Sequence, residues 1–217
     1  MHPNSELLFE TYARPYFQAG MRVLEIGPDL APSTFETLVG DDSIKWDTVD
    51  LADGHVHAPS QLTYTATSEY EFPIEDDLYD IVVSGNVIEH VRRVWRWMPE
   101  VARVCKVGGL VITVNPVSWP YHEAPVDCWR IYPEGMRALY EEASLTVLVS
   151  QLDALEAKRS GRRRLLPGRS PIWQPWQLRL FFRFFGPLGF PVEAAYDVIT
   201  VGEKRPAAAT RSGAPGV

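Results

Sequence analysis

Two hydrophobic rhythms alternate along the chain. Compact apolar runs ending at glycine or an acid are separated by stretches whose apolar residues recur three and four positions apart. "RVLEIG" (22–27), "KWDTVDLA" (45–52), "LTYTAT" (62–67), "YDIVVSG" (79–85), "GGLVITVNP" (108–116), "LTVLVSQL" (145–152) and "AAYDVITVGEK" (194–204) read as seven strands. The continuous apolar character of "YDIVVSG" predicts burial on both faces. Between the strands, "SELLFETYARPYFQA" (5–19) reads as an amphipathic helix, and "PSTFETLVGD" as a weaker one capped by Ser33 or Thr34 and stopped at Gly40. "VRRVWRWMPEVARVC" predicts a helix burying Val91, Val94, Trp95, Met98, Val101 and Ala102. "PEGMRALYEEA" starts a further helix with Pro133 at its first position. Strands alternating with helices predict βαβ units: an α/β fold with a doubly wound, mostly parallel sheet and helices on both faces. Ligands of such sheets bind beyond the carboxyl ends of the strands. Those ends are Gly27, Asp50, the stretch after Thr65, residues 84–86 and residues 115–122.

Composition narrows the classes. With 46% hydrophobic and 23% charged residues in 217, wholesale disorder is excluded and one sizeable core is expected. A net charge of −7 argues against a general nucleic-acid binder. The two cysteines, Cys105 and Cys128, form no CxxC, and nothing has zinc-ligand spacing, so no metal site is expected. A reducing, cytoplasmic location is expected. The first residues lack a basic head and apolar core, so no signal peptide is predicted, and no apolar run is long enough for stable membrane insertion. A single domain is read over 1–204, with 205–217 as a disordered tail of small residues and proline. Residues 154–190 break the pattern: eight Lys/Arg face one acid, Glu156, among seven Trp and Phe. This stretch reads as an inserted cap: a lid over an acceptor, a homodimer surface, or an interfacial helix. Its aromatics nearly encircle the helix, which favours packing or a lid.

Glu25, Gly27 and Asp50 carry the first chemical signal. Glycine after the first strand lets backbone approach a ligand, and an acid ending the second strand can accept both hydroxyls of a ribose. That describes a cofactor with an adenosine half. A dinucleotide fingerprint needs two further glycines, but "PDLAPS" follows Gly27, and Asp29 would repel a pyrophosphate. The same aspartate suits a cofactor carrying ammonium and sulfonium charges, which selects S-adenosylmethionine over NAD(P) on this Rossmann-like frame. Pro28 and Pro32 stiffen the loop.

"RVLEIGP", "TVDLADG", "FPIEDDLYDIVVSGNVIEHV", "EVARVCKVGGLVITVNP" and "YHEAPVDCWRIYPEGMRALYEEASL" together resemble class I S-adenosylmethionine-dependent methyltransferases, in particular the bacterial methyltransferase type 11 group. The likeness runs from about Arg22 to Leu148 and resumes weakly in the last strand. It implies that Glu25, Gly27 and Pro28 belong to the loop against the methionine half of the cofactor. Asp50 matches the ribose acid and Leu51 the residue on the adenine face. Ser68 and Glu69 fall at the adenine edge, and Asn86 and Val87 line the sulfonium region. Two departures stand out: Asp29 replaces the usual second glycine, and Ser68 an acid.

On the loop after the fifth strand, "WPYHEAPVDCWRIYPEG" resembles sugar- and cell-surface-associated members of the group. The resemblance puts Trp119, Tyr121, His122, Asp127 and Arg130 near an acceptor. His122 is the candidate base, oriented by Asp127, because imidazole is the side chain suited to taking a proton near neutral pH. Arg130 either grips an anionic acceptor or pairs with Asp127 to pin the loop while Trp129 fills the core. His90 reads as a structural residue near the start of a helix under the site or, as the alternative, a base close to the transferred methyl, and it is counted with the acceptor-side residues. The resulting expectation is methyl transfer to an oxygen of a small-molecule acceptor, on a sugar-containing or secondary-metabolite scaffold. A non-catalytic S-adenosylmethionine-binding protein and an NAD(P) enzyme are the alternatives.

Overall fold

The computed structural model describes residues 1–52, 61–123, 126–159 and 164–206. In chain order the strands are β1 (Arg22–Ile26), β2 (Lys45–Leu51), β3 (Tyr64–Ala66), β4 (Tyr79–Gly85), β5 (Cys105–Pro116), β6 (Leu145–Asp153), β7 (Leu165–Pro167), β8 (Val192–Ala194) and β9 (Asp197–Lys204). The helices are α1 (Pro3–Tyr12), α2 (Thr34–Val39), α3 (Val94–Val104), α4 (Pro133–Glu142), α5 (Leu155–Arg159) and α6 (Trp176–Phe185). Seven strands make one sheet in the order β3-β2-β1-β4-β5-β9-β6. The pairs from β3 to β5 are parallel, and β9 runs antiparallel to both β5 and β6. This is the predicted Rossmann-like α/β arrangement.

β1, β4 and β5 form the centre, and their apolar runs are buried on both faces. On one face, Trp97, Met98 and Val101 of α3 and Met136 and Tyr140 of α4 join the core with Leu24, Val82 and Val111. On the other, Leu8 and Phe9 of α1 and Phe35 and Val39 of α2 pack on Val23, Ile81, Val83 and Ile112. α2 begins at Ser33, whose side chain accepts the Glu36 amide, and ends at Gly40 in the left-handed conformation (φ 59°), as its punctuation predicts.

The α3 face needs one correction. Trp95 is 53% exposed, whereas Trp97 is 1% exposed. Counting from Val94, positions three, four, seven and eight residues on are Trp97, Met98, Val101 and Ala102; Trp95 lies a full 100° around the helix.

Between β6 and β9 lie α5, β7, α6 and β8, with β7 and β8 paired in a parallel two-stranded sheet. No residue of α6 is buried; Trp176, Leu180, Phe181 and Phe184 are all exposed. Among the described residues no helix is long and apolar enough to cross a membrane. The expected tail falls largely on residues 207–217, outside the described residues.

Candidate functional site

The strand order reverses between β1 and β4, and the loops leaving these two strands meet at the resulting crevice. Gly27 ends β1 with φ 66°, and a Cβ built there would lie 2.5 Å from Val87 Cγ2. Glycine is therefore required twice, for its backbone and for the contact with the β4 loop. On that loop Asn86 also adopts a left-handed conformation, φ 56°, and accepts the Ser5 hydroxyl of α1. Pro28 is buried beside Gly27.

Two acids stand at this turn, Glu25 within β1 and Asp29 in the loop that follows. Asp29 accepts the Thr34 amide at 2.9 Å and the Thr34 hydroxyl at 2.6 Å. Burial resists its charge, but these bonds hold its pKa below the ordinary value. Its Oδ2 also lies 3.6 Å from the N-terminal ammonium. Both its oxygens serve the start of α2, where orphan amides attract an acceptor. Glu25, 2% exposed, accepts the Ser33 hydroxyl and, at 2.9 Å, the Trp46 indole N–H. It ties β1 to the cap of α2 and to β2, so only its backbone lines the crevice. Burial pushes the Glu25 carboxyl up to about 8, against the pull of its two hydrogen bonds.

That shift has a definite sign. The fold holds a proton that the unfolded chain releases near 4.5, so stability falls as pH rises from there towards 8 and levels off above. Glu25→Gln is neutral throughout and is expected to remove this part of the slope. Its urea midpoints at about pH 5 and about pH 8 should differ less than those of the parent. An undiminished difference would mean that Glu25 is ionised in the fold.

Asp50 ends β2, half-buried, with one carboxylate oxygen accepting the Leu51 amide at 2.7 Å. Leu51 packs partly buried on the core. Ser68 accepts the Tyr70 amide, and Glu69 lies 3.6 Å from Arg92, so both belong to one tight turn after β3. The sequence "DG" after Ala52 lies outside the described residues. Gly27, Asp50, Leu51, Asn86 and Val87 thus stand at the ends of three adjacent strands.

The loop after β5 forms the other bank. Asp127, its side chain 1% exposed, accepts both terminal nitrogens of Arg130 at 2.5 and 2.6 Å and the His122 amide at 2.8 Å. Burial works against its charge, and the guanidinium keeps its pKa below the usual value. Arg130 also donates to the carbonyls of Trp119, Pro120 and Trp129. Every nitrogen of its fork has a partner inside the loop, so gripping an acceptor is corrected to pinning the loop. Trp129 donates to the Val91 carbonyl and packs on the core. Tyr121 is 71% exposed and bonded to Glu123, turned away from the loop's interior. His122 and His90 meet edge to face with ring centroids 5.0 Å apart.

A cavity of about 410 Å³ opens behind this loop, walled by Trp119, Pro120, Tyr132, Leu152, Tyr196 and, from the insert, Gly168. Tyr132, Leu152 and Tyr196 escaped the reading of the sequence. So did a buried polar knot in which Asn4 and Ser5 donate to Asp197, and His2 lies 3.4 Å from Asp197 while stacking on Trp119. Their separations of about 190 residues leave no local signal, although a lone acid opening an apolar strand, Asp197, was visible. Burial pushes the Asp197 carboxyl up to about 7.

Known proteins can now be set beside this geometry. A family described as a methyltransferase domain matches residues 42–113. An uncharacterized methyltransferase of Mycobacterium avium is 32% identical over 100 residues, covering 43% of this chain and 39% of the relative. The chain thus spans about two fifths of the length of that curated relative. Among solved structures, the YcgJ protein of Bacillus subtilis superposes with a TM-score of 0.59 at 17% identity, over 95% of this chain and all of that one. A Haemonchus contortus phosphoethanolamine N-methyltransferase, in complex with phosphomonomethylethanolamine and S-adenosylhomocysteine, gives 0.58 at 11% identity, over 93% of this chain and 52% of that one. At these identities the structural likeness is one of fold.

Proposed function

We propose that this chain, which matches a methyltransferase domain over residues 42–113, is a class I S-adenosylmethionine-dependent methyltransferase that moves the methyl group of that cofactor to an oxygen of a small-molecule acceptor. The observation that carries the cofactor reading is the pairing of Gly27, pressed against Val87, with Asp50 at the end of the neighbouring strand. The residues fit the group: Gly27 leaves bare backbone at the end of β1, beside one carboxylate near the end of β2, and that pair suits a ribose and a cationic tail. Gly27, Pro28, Asn86 and Val87 would hold the methionine half, Asp50 the ribose, and Leu51, Ser68 and Glu69 the adenine. When bound, the cofactor supplies a methyl group on a positively charged sulfur.

The chain's own part is placement and proton handling. The β5 loop holds the acceptor against the crevice, and most of the rate comes from that alignment. Asp127, fixed by Arg130, orients His122 towards the acceptor hydroxyl, whose proton must leave as the new oxygen–methyl bond forms. The cavity behind the loop is of small-molecule size, and its aromatic walls suit an apolar or sugar-ring face. The insert contributes Gly168 to that wall, which supports its reading as a cap. A soluble biosynthetic role in the cytoplasm fits this chemistry.

Calorimetry of the full chain with S-adenosylmethionine, S-adenosylhomocysteine and NAD tests the reading. Heat of binding is expected with the two methionine-derived ligands and none with NAD. A chain silent to both methionine-derived ligands would sink the proposal.

A further inference from the structure

The β4 loop carries a carboxylate that the cofactor reading does not use. Glu89 sits in the 3-10 turn Ile88–His90 and is 1% exposed. Neither of its oxygens meets a hydrogen-bond donor of another residue among the described residues. A buried carboxylate without a donor is costly unless it holds a proton or faces a cation. Two imidazoles stand beside it. His90 Nε2 is 3.8 Å from Glu89 Oε1, and one nitrogen of each of His90 and His122 lies with a Glu89 oxygen in a group no wider than 4.8 Å.

The outer nitrogens of both rings are already engaged. His90 Nδ1 faces the Val126 carbonyl at 2.5 Å, and a carbonyl only accepts, so Nδ1 carries the proton and Nε2 keeps a lone pair. His122 Nδ1 lies 3.1 Å from the Pro120 carbonyl and 3.3 Å from Asp127. A carbonyl or carboxylate behind the far nitrogen is how metal-binding histidines are oriented. Ligand atoms about 2.1 Å from a common ion lie roughly 3–4 Å from one another. The present spacing needs a contraction of about an ångström, and His122, 37% exposed on its loop, has room to make it.

We propose that Glu89, His90 and His122 form a binding site for a divalent transition-metal ion of the zinc, cobalt or manganese class. Two imidazoles and one carboxylate are a borderline nitrogen–oxygen donor set, which suits these ions better than calcium or magnesium. Three protein ligands leave a coordination position free for an oxygen of the acceptor. There the ion would take over from His122 the activation of the acceptor. It would lower the hydroxyl's pKa, so that its proton passes to solvent and the oxygen is left as the nucleophile, with His122 serving as a ligand and not as the base. This purpose rests on the methyl-transfer reading; the site itself does not.

The test uses the full chain, stripped with a chelator and titrated with Zn²⁺ by calorimetry and with Co²⁺ by visible absorption. One ion per chain is expected, with a cobalt spectrum of low coordination number. His122→Ala, on an exposed loop, and the near-isosteric Glu89→Gln should each weaken binding by about a hundredfold or more. Titration with S-adenosylmethionine in the same preparations should give the parent affinity. Binding of zinc by the parent and both variants alike would overturn the proposal. So would a parent that binds neither zinc nor cobalt while still binding S-adenosylmethionine. Zinc binding without S-adenosylmethionine binding would keep the site and sink the methyl-transfer reading alone.

Discussion

Asp50→Ala should raise the dissociation constant for S-adenosylmethionine by about a hundredfold, or roughly 2.7 kcal/mol. The reasoning starts from position. Asp50 ends β2 beside β1, and the Gly27 amide is bonded to the carbonyl of Val49, so the acid and the glycine loop are held in one register. A carboxylate accepting two ribose hydroxyls makes two charge-assisted bonds, each worth roughly 1.5–3 kcal/mol. Losing both, with some compensation from water, leaves about the stated figure. The fold should survive, because Asp50 is half-buried at a strand end. Calorimetry and a thermal melt on the same variant separate the two effects. An affinity unchanged by the substitution would remove Asp50 from the ribose contact.

Gly27→Ala should be the more damaging change, lowering stability by roughly 2–4 kcal/mol and cofactor affinity with it. Alanine at φ 66° carries a left-handed penalty of about 1–2 kcal/mol. Its methyl group would also lie 2.5 Å from Val87 Cγ2, forcing the β1 and β4 loops apart. The two costs can be told apart by adding Val87→Ala, which removes the obstructing methyl but leaves the backbone strain. The double variant should be less destabilised than the sum of the single ones in urea unfolding. Strict additivity would show that the loops are not pressed together at this point.

Much of the frame was legible because its causes are local. Parallel strands buried on both faces must be apolar throughout, so β1, β4 and β5 announce themselves as runs. Ser33 and Gly40 bracket α2 through hydrogen-bonding capacity and left-handed tolerance, and each acts on its own neighbours. The ends of β1, β2 and β4 then located Gly27, Asp50 and Asn86 without any knowledge of the side chains around them.

Side-chain direction was not legible in the same way. Glu25 stands in β1, two residues before the loop that carries Asp29, yet Asp29 caps α2 while Glu25 joins Ser33 and Trp46. Arg130 was placed on the correct loop, but its partners, Asp127 and three carbonyls, depend on how the loop doubles back. Trp95 was read onto the buried face of α3 and Trp97 left off it, although Trp95 lies about 100° around the helix from Val94 and Trp97 falls back on its face.

The sequence by itself therefore determined the order of the seven main-sheet strands and of α1 to α4, the turn residues and the strand ends where a ligand must bind. Each follows from periodicity or backbone preference over a few neighbouring residues. Only the tertiary structure decided which acids face the crevice, that Asn4 and Ser5 close over Asp197, and that His122 joins the Glu89–His90 pair. Those contacts join residues from about 30 to about 190 positions apart, and burial, which makes an unpartnered carboxylate significant, is a property of the packed chain alone.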